Sequence, residues 1–325
     1  MRVGIYGTGA YGLALSSILA DNNNEITMWT KFEEEKDLLV EKRGNDKLLP
    51  GYKLDESIKI TTSIEECADD KDLLVIVIPA AFVRDLCVEL KKYVNENTII
   101  CIASKGIEQN TGLFISEIVT DVLGVDKYGV LSGPSFAKDV IAKKPIGLTL
   151  ATPDSEAKNV INEAFRNEYT KTRSTFDVYG TEVCGAIKNV IALASGMLTG
   201  LGANESTRAM LITESLQDIV EMIRSLNGDG NTILSFAGFG DLLLTCTSTN
   251  SRNYSYGKLV GEGKSKEELD EYLKTTTVEG YYTLESIYKL LKDKEVSIPI
   301  IDLIYSIIKE NNNPEELLKF LVEKV

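Results

Sequence analysis

The feature that most constrains the fold of this chain is a glycine-rich turn close to its N-terminus. The sequence GTGAYG at residues 7–12 directly follows the apolar run 3–6 and precedes the helix-like segment 13–20. Gly7 permits a tight strand-to-helix connection, Gly9 lets the backbone approach a pyrophosphate, and Gly12 lets the helix pack against the strand. A glycine-rich turn can also bind nothing. Because a second strand-like segment follows at 25–29, the order strand, turn, helix and strand predicts a dinucleotide-binding unit.

The end of the second strand bears on which dinucleotide is bound. An acidic side chain at this place typically holds the ribose 2'-hydroxyl of NAD, whereas this chain has Thr30 and Lys31. The lysine favours a 2'-phosphate and therefore NADP. Three glutamates follow at 33–35 and could fold back toward the ribose, so NAD stays open as the alternative.

Length, charge and cysteine content limit the classes of protein. A chain of 325 residues with 43% hydrophobic residues predicts two domains. Its net charge of −14 argues against nonspecific binding to nucleic acid or anionic lipid. The five cysteines show no spacing typical of a metal site or a disulfide and suit a reducing compartment. Residues 1–2 lead directly into the first strand, which leaves no room for a signal peptide, so we expect a cytoplasmic protein without a metal site or stable membrane insertion.

Strand-like and helix-like segments alternate through about residue 180. Apolar, β-branched runs at 72–78, 98–103, 128–131 and 147–151 predict a mostly parallel α/β sheet. Beyond that point apolar residues recur at helical spacing in 183–197, 208–226, 266–273, 283–291 and 314–322. We therefore expect a Rossmann-type domain at 1–180, an all-helical domain at 181–325, and a site between them.

The chain contains no histidine, so proton exchange with a substrate hydroxyl needs another group. Lys188 has the best context, because it and Asn189 are the only strongly polar side chains in the apolar segment 183–193. Burial would lower the pKa of this lysine toward the range useful for general acid–base chemistry. Alternatively, the lysine lies at a wet edge of its helix and reaches solvent.

Three further segments are candidates for ligand contacts. Lys105 and the sequence GPSFA at 133–137 each follow a predicted strand, where the ligand crevice of an open α/β sheet forms. In the polar run 245–253, Arg252 could grip a phosphate while Asp241, just before the run, could pair with a catalytic lysine. Alternatively, Lys105 is an ordinary surface lysine, GPSFA is a turn at the start of a helix, and the polar run is a solvated loop.

The motifs, taken in order, resemble the bacterial soluble type of NAD(P)-dependent glycerol-3-phosphate dehydrogenase. They are GTGAYG, SKGIE at 104–108, GPSFA, GAIKNVIALASG at 185–196 and GFGDLLLTCTSTNSRN at 238–253, extended by LPG at 49–51 and VEG at 278–280. The series covers nearly the whole chain. The resemblance implies reversible hydride transfer between NAD(P)H and dihydroxyacetone phosphate, giving sn-glycerol 3-phosphate for phospholipid synthesis in a cytoplasmic homodimer.

The same resemblance implies the site residues. Lys188 would be the proton donor and acceptor at C2, with Lys105 and Asp241 completing the catalytic set, and Asn189 and Thr245 in support. The residues implied to bind substrate are Lys105, Gly133, Ser135, Lys188, Asp241, Ser251, Arg252 and Asn253. Those implied to bind the cofactor are Gly7, Gly9, Ala10, Tyr11, Gly12, Lys31, Lys105, Ala137, Arg252, Val278 and Glu279.

Of the departures from the family pattern, two bear on the cofactor, and two rival functions remain. Ala10 and Tyr11 stand where serine and tryptophan are usual, and Lys31 stands where arginine is common and lacks its planar fork. A related lysine-dependent reductase of 2-oxo or β-hydroxy acids could hold a carboxylate at 251–253. A catalytically silent dinucleotide-binding sensor would keep the glycine turn without turnover.

Overall fold

The chain divides into two compact units in the computed structural model, which describes residues 1–109 and 111–323. The first unit comprises Met1–Lys105 and Phe114–Val178, and the second comprises Gly106–Leu113 and Tyr179–Val325. The short segment Gly106–Leu113 therefore belongs with the later part of the chain. No sequence pattern indicated that assignment.

The first unit is built on an eight-stranded sheet. Its strands are β1 (Arg2–Tyr6), β2 (Glu25–Trp29), β3 (Lys59–Thr61), β4 (Leu73–Ile76), β5 (Ile99–Ile102), β6 (Tyr128–Ser132), β7 (Ile146–Ala151) and β8 (Thr170–Thr175). Their spatial order is β3-β2-β1-β4-β5-β6-β7-β8, and only β6 and β7 pair antiparallel. The first six strands follow the Rossmann order, in which ligands bind at the carboxyl ends of the strands next to the point where the order reverses. The predicted fold class is confirmed.

Helices connect these strands. They are α1 (Ala10–Asp21), α2 (Glu33–Lys42), α3 (Ile64–Ala68), α4 (Val83–Leu90), α5 (Ile115–Leu123), α6 (Ala137–Ile141) and α7 (Ser155–Phe165), with a 3₁₀ turn at Ala80–Phe82. All residues of β4 and β5 are buried, as expected of central parallel strands covered on both faces. This burial explains why those strands appear in the sequence as continuous apolar runs.

The second unit is helical throughout its described elements. They are α8 (Val178–Gly200), α9 (Glu205–Ser225), a 3₁₀ turn (Gly230–Leu234), a π turn (Phe236–Gly240), α10 (Asp241–Thr247), α11 (Arg252–Gly261), α12 (Lys266–Thr275), α13 (Glu279–Asp293), α14 (Pro299–Glu310) and α15 (Glu316–Glu323). Within the described chain, α8 alone is long and apolar enough to cross a membrane. Since 89% of its most apolar window is buried inside the structure, it has the character of a core helix.

Candidate active site

The glycine turn between β1 and α1 has the geometry that a dinucleotide phosphate needs. Gly7 has a φ of 127°, and a Cβ there would lie 2.6 Å from the carbonyl oxygen of Val77. A Cβ at Gly12 would lie 2.2 Å from the carbonyl oxygen of Gly7, so neither position accepts a side chain. Gly9 is different, because a Cβ there would meet nothing within 4 Å. Open space at the N-terminus of α1 fits an approaching pyrophosphate, and we infer that these residues can hold one.

The end of β2 carries both a cation and an acid. Lys31 is exposed directly after the strand. The hydroxyl of Thr30 donates a hydrogen bond to Oε2 of Glu35 at 2.5 Å, which brings an acidic side chain back to the strand end. The two features on which the choice between NADP and NAD depends therefore lie at one strand end.

Several predicted ligand contacts lie at the carboxyl end of the same sheet. The hydroxyl oxygens of Tyr11 and Ser135 are 2.9 Å apart, and Ser135 Oγ donates to the carbonyl oxygen of Gly133 at 3.1 Å. Lys105 follows β5 and is partly buried. A Cβ at Gly133 would lie 2.5 Å from the carbonyl oxygen of Gly147, so packing against β7 is enough to require this glycine. Ala137 begins α6 beside this group.

Lys188 is the centre of the polar cluster in the second unit. Its Nζ donates to Oδ1 of Asp241 at 2.7 Å and to Oγ1 of Thr245 at 3.1 Å. The Lys188 side chain is 10% exposed and that of Asp241 is 2% exposed. Thr245 can accept from the lysine because its own hydroxyl proton is donated to the backbone carbonyl of Asp241 at 2.6 Å. The lysine is therefore largely buried, and it lies against the acid that sequence analysis proposed as its partner.

Two opposite effects act on the charge of Lys188. Burial alone disfavours an ammonium group, whereas a carboxylate at hydrogen-bond distance stabilises it. Cys246 follows Thr245, and burial raises the pKa of its thiol far above the ordinary value, although Lys188 opposes the shift. The cluster thus offers a proton donor on Lys188 and a thiol that stays protonated.

A second polar network joins three helices of the second unit. Asn189 on α8 donates from Nδ2 to Oε2 of Glu279 on α13 at 3.1 Å. Asn253 on α11 donates from Nδ2 to Oδ1 of Asn189 at 2.9 Å and accepts from the amide of Gly280 at 2.8 Å. Asn253 and Glu279, predicted to bind different ligands, are thus linked through Asn189. The buried Val278 precedes the first turn of α13.

Arg252 and Ser251 lie at the start of a helix. Ser251 caps α11 by accepting a hydrogen bond from the amide of Tyr254 at 3.2 Å, and Arg252 is the first, exposed residue of that helix. The polar run therefore ends in a helix N-terminus, where backbone amides and the helix dipole favour an anion. Residues 252–253 therefore lie in a helix and not in a loop, although the Arg252 side chain is exposed to solvent.

Two family models match successive parts of this chain. Residues 2–158 match the N-terminus, and residues 177–319 the C-terminus, of NAD-dependent glycerol-3-phosphate dehydrogenase. A glycerol-3-phosphate dehydrogenase [NAD(P)+] from Staphylococcus carnosus is 34% identical over 99% of this chain and 97% of its own length. The chain belongs to the glycerol-3-phosphate dehydrogenase family. This membership confirms the resemblance inferred from the motif series.

Other relatives support the same family assignment. A glycerol-3-phosphate dehydrogenase [NAD(P)+] from Agathobacter rectalis is 35% identical over 99% of this chain and 95% of its own length. Among solved structures, a glycerol-3-phosphate dehydrogenase from Coxiella burnetii is 28% identical, covers 99% of both chains and superposes with a TM-score of 0.94. The fold and the family thus agree over essentially the full chain.

Proposed function

We propose that this protein interconverts dihydroxyacetone phosphate and sn-glycerol 3-phosphate with NAD(P)H or NAD(P)+, and so supplies glycerol 3-phosphate for phospholipid synthesis. The observation that carries the proposal is the buried Lys188, paired with Asp241 at 2.7 Å, in a member of this family. A buried lysine held by a carboxylate is a suitable proton donor and acceptor in a chain without histidine.

In the direction of reduction, a nicotinamide coenzyme would, when bound, supply the hydride for C2 of the ketone. Lys188 donates its proton to the oxygen of that carbonyl as the C–H bond forms, which leaves a neutral amine and an alcohol. In the reverse direction the neutral amine takes the hydroxyl proton. Asp241 and Thr245 hold Nζ in place in both directions, and Lys105 supplies positive charge that orients the ketone.

The remaining predicted contacts complete this proposal. Arg252, with Ser251 and Asn253, binds the phosphate at the N-terminus of α11, and Gly133 with Ser135 borders the substrate. The cofactor contacts are Gly7, Gly9, Ala10, Tyr11, Gly12, Lys31, Lys105, Ala137, Arg252, Val278 and Glu279. Residues 1–180 would supply most of the cofactor contacts and residues 181–325 most of the substrate contacts. A cytoplasmic homodimer is part of the proposal on the family resemblance alone.

The test is a spectrophotometric assay at 340 nm with dihydroxyacetone phosphate, run separately with NADH and with NADPH. The proposal requires oxidation of at least one coenzyme, and Lys31 leads us to expect the lower KM for NADPH. A parallel panel of 2-oxo and β-hydroxy acids checks the rival reductase. Turnover of an acid without turnover of the phosphorylated ketone would reject the proposal, and tight coenzyme binding without any turnover would support a silent sensor. Sedimentation of the purified chain tests the homodimer.

A further inference from the structure

Helices α8 and α11 contact each other through glycines that lie on both helices. A Cβ at Gly196 of α8 would lie 2.0 Å from the carbonyl oxygen of Tyr254, and one at Gly257 of α11 would lie 2.0 Å from that of Leu193. One turn further, a Cβ at Gly200 would lie 2.3 Å from the carbonyl oxygen of Lys258, and one at Gly261 would lie 2.1 Å from that of Met197. We call Gly196, Gly200, Gly257 and Gly261 the glycine seam. Along it the two helices touch backbone to backbone.

The seam has a regular register. Leu193 contacts Gly257 and Met197 contacts Gly261, so the contacts advance along both helices together and the helices run in the same direction. One turn before Leu193 and Gly257, the register reaches Asn189 and Asn253, whose side chains hydrogen-bond at 2.9 Å. The first turn of α11, with Arg252, is therefore level with the part of α8 that carries Lys188.

We propose that the glycine seam determines the length of substrate this enzyme accepts. The inference rests on the proposed function, in which Lys188 acts at C2 and Arg252 holds the phosphate. Since each group is fixed to one of the two helices, the separation of the helices limits the distance between the reacting carbon and the phosphate. Glycines at all four positions keep that separation at its smallest value, which suits a three-carbon phosphate. The four seam residues are positioning residues and touch no substrate.

The expected displacement matches one carbon atom of substrate. A methyl group at Gly257 would have to move from 2.0 Å to about 3.4 Å from the Leu193 carbonyl oxygen before the contact became an ordinary one. That change is comparable to one carbon–carbon bond, about 1.5 Å. A substrate with one additional methylene between the ketone and the phosphate would then fit better than dihydroxyacetone phosphate does.

The experiment compares kcat/KM for dihydroxyacetone phosphate with kcat/KM for 1,4-dihydroxybutan-2-one 4-phosphate, which is longer by that methylene. Gly196→Ala and Gly257→Ala change the end of the seam nearer Lys188, and Gly200→Ala and Gly261→Ala change the last residues of α8 and α11. Lys258→Ala is the control on α11, because among the described residues the Lys258 side chain pairs with Glu262 at the surface. The ratio of the two kcat/KM values does not depend on how much of the enzyme is folded.

We expect Gly196→Ala and Gly257→Ala to lower the preference for the three-carbon substrate at least tenfold, and the variants at the helix ends to lower it less. Lys258→Ala should keep the wild-type ratio. A wild-type ratio in folded Gly196→Ala or Gly257→Ala, with reduced turnover of both substrates, would show that the seam only stabilises the fold. If neither of those two variants folds, the test passes to Gly200→Ala and Gly261→Ala. A wild-type ratio of the two kcat/KM values in both of these variants would also contradict the inference. Failure of the wild-type enzyme to turn over dihydroxyacetone phosphate would instead reject the proposed function, and the inference with it.

Discussion

The Nζ of Lys188 donates a hydrogen bond to Oδ1 of Asp241 at 2.7 Å, and both side chains are buried. This pair joins α8 to the first residue of α10. Burying two charges costs free energy, which the attraction between them offsets. Loss of either partner would therefore leave an uncompensated buried charge. In the proposed mechanism, Asp241 stabilises the protonated form of Lys188 that donates to the ketone.

Asp241→Asn tests this role. Without the carboxylate the ammonium form of Lys188 is disfavoured, so the fraction able to donate a proton falls at neutral pH. We expect kcat for ketone reduction to fall at least tenfold and the alkaline limb of its pH profile to move to lower pH. The measurement is kcat against pH with saturating NADH.

Thr245→Val is the matched control for that substitution. It removes the second acceptor of Lys188 Nζ, at 3.1 Å, but keeps the carboxylate. We expect a smaller loss of kcat and an unmoved alkaline limb. An unmoved limb in Asp241→Asn would mean that the carboxylate does not control the charge of Lys188.

Gly9→Ala and Gly7→Ala separate cofactor binding from folding. Gly9 has a φ of −63° and open space around its Cβ position, so the alanine variant should fold like wild type. Its methyl group would occupy the place where a pyrophosphate approaches, so we expect the Kd for NADH and NADPH to rise at least tenfold. Gly7→Ala, with a positive φ and a contact at 2.6 Å, should instead lower Tm. Coenzyme fluorescence titration and thermal unfolding distinguish the two results, and unchanged coenzyme affinity in Gly9→Ala would contradict the assignment.

Lys31→Ala tests the choice of coenzyme. The exposed ammonium after β2 is the cation available to a 2'-phosphate at this strand end. We expect KM for NADPH to rise about tenfold, equivalent to about 1.4 kcal/mol, while KM for NADH stays unchanged. Lys59→Ala, which removes an exposed ion pair with Glu25 from β3, is the control. Equal effects on both coenzymes would indicate that Lys31 does not contact the 2'-phosphate.

Alkaline pH should destabilise the fold at pH values below those at which the buried thiols of the folded protein ionise. Burial raises the pKa of Cys67 and of Cys87 to about 12, against an ordinary value of 9.0. Because these folded-state pKa values are raised, their stabilising contribution is present below pH 9 and is lost as pH rises through the native values. Between pH 9 and about 12, ionisation of each thiol in the unfolded chain lowers the free energy of unfolding by about 1.4 kcal/mol per pH unit.

Urea unfolding at pH 8 and pH 10 measures this effect. Alkylation of the thiols by iodoacetamide, counted by mass spectrometry, should be negligible in the native protein at pH 10 and should follow unfolding. Rapid alkylation of the folded protein at that pH would contradict the burial of these cysteines.

The central sheet could be predicted from the sequence because its strands are buried on both faces. Runs such as those of β4 and β5 contain no polar residue and have no helical period. The edge strands gave no such signal. β3 is only three residues long, and the six residues of β8 are threonine, lysine, arginine and serine, mostly on an accessible surface. Apolar patterning does not detect a strand that contributes so little to the core.

Three helices of the second unit, α10, α11 and α14, also escaped prediction, and for α14 and α11 the reasons are opposite. α14 is an almost unbroken apolar run after Pro299, in which a helical period is hard to distinguish from a buried strand. α11 contains two glycines and several polar residues, which are typical of a loop. Its glycines lie where they do because α8 packs against them, and this tertiary contact leaves no periodic signal.

The pairing of Lys188 with Asp241 was accessible to sequence reasoning because a lysine in an apolar helix requires a counter-charge. The network of Asn189, Asn253 and Glu279 was not. Its members come from three helices that are distant in sequence, and each belongs to a motif with its own apparent role. Only the presence of Asn189 beside Lys188 in the apolar segment pointed to it.

The most direct test of this account is the turnover of Lys188→Ala with dihydroxyacetone phosphate and NADH or NADPH. If Lys188 transfers the proton, kcat should fall by about 10²- to 10⁴-fold, while the Kd for the coenzyme, whose glycine turn lies in the first unit, stays at the wild-type value. Turnover within a few fold of wild type would show that another group transfers the proton.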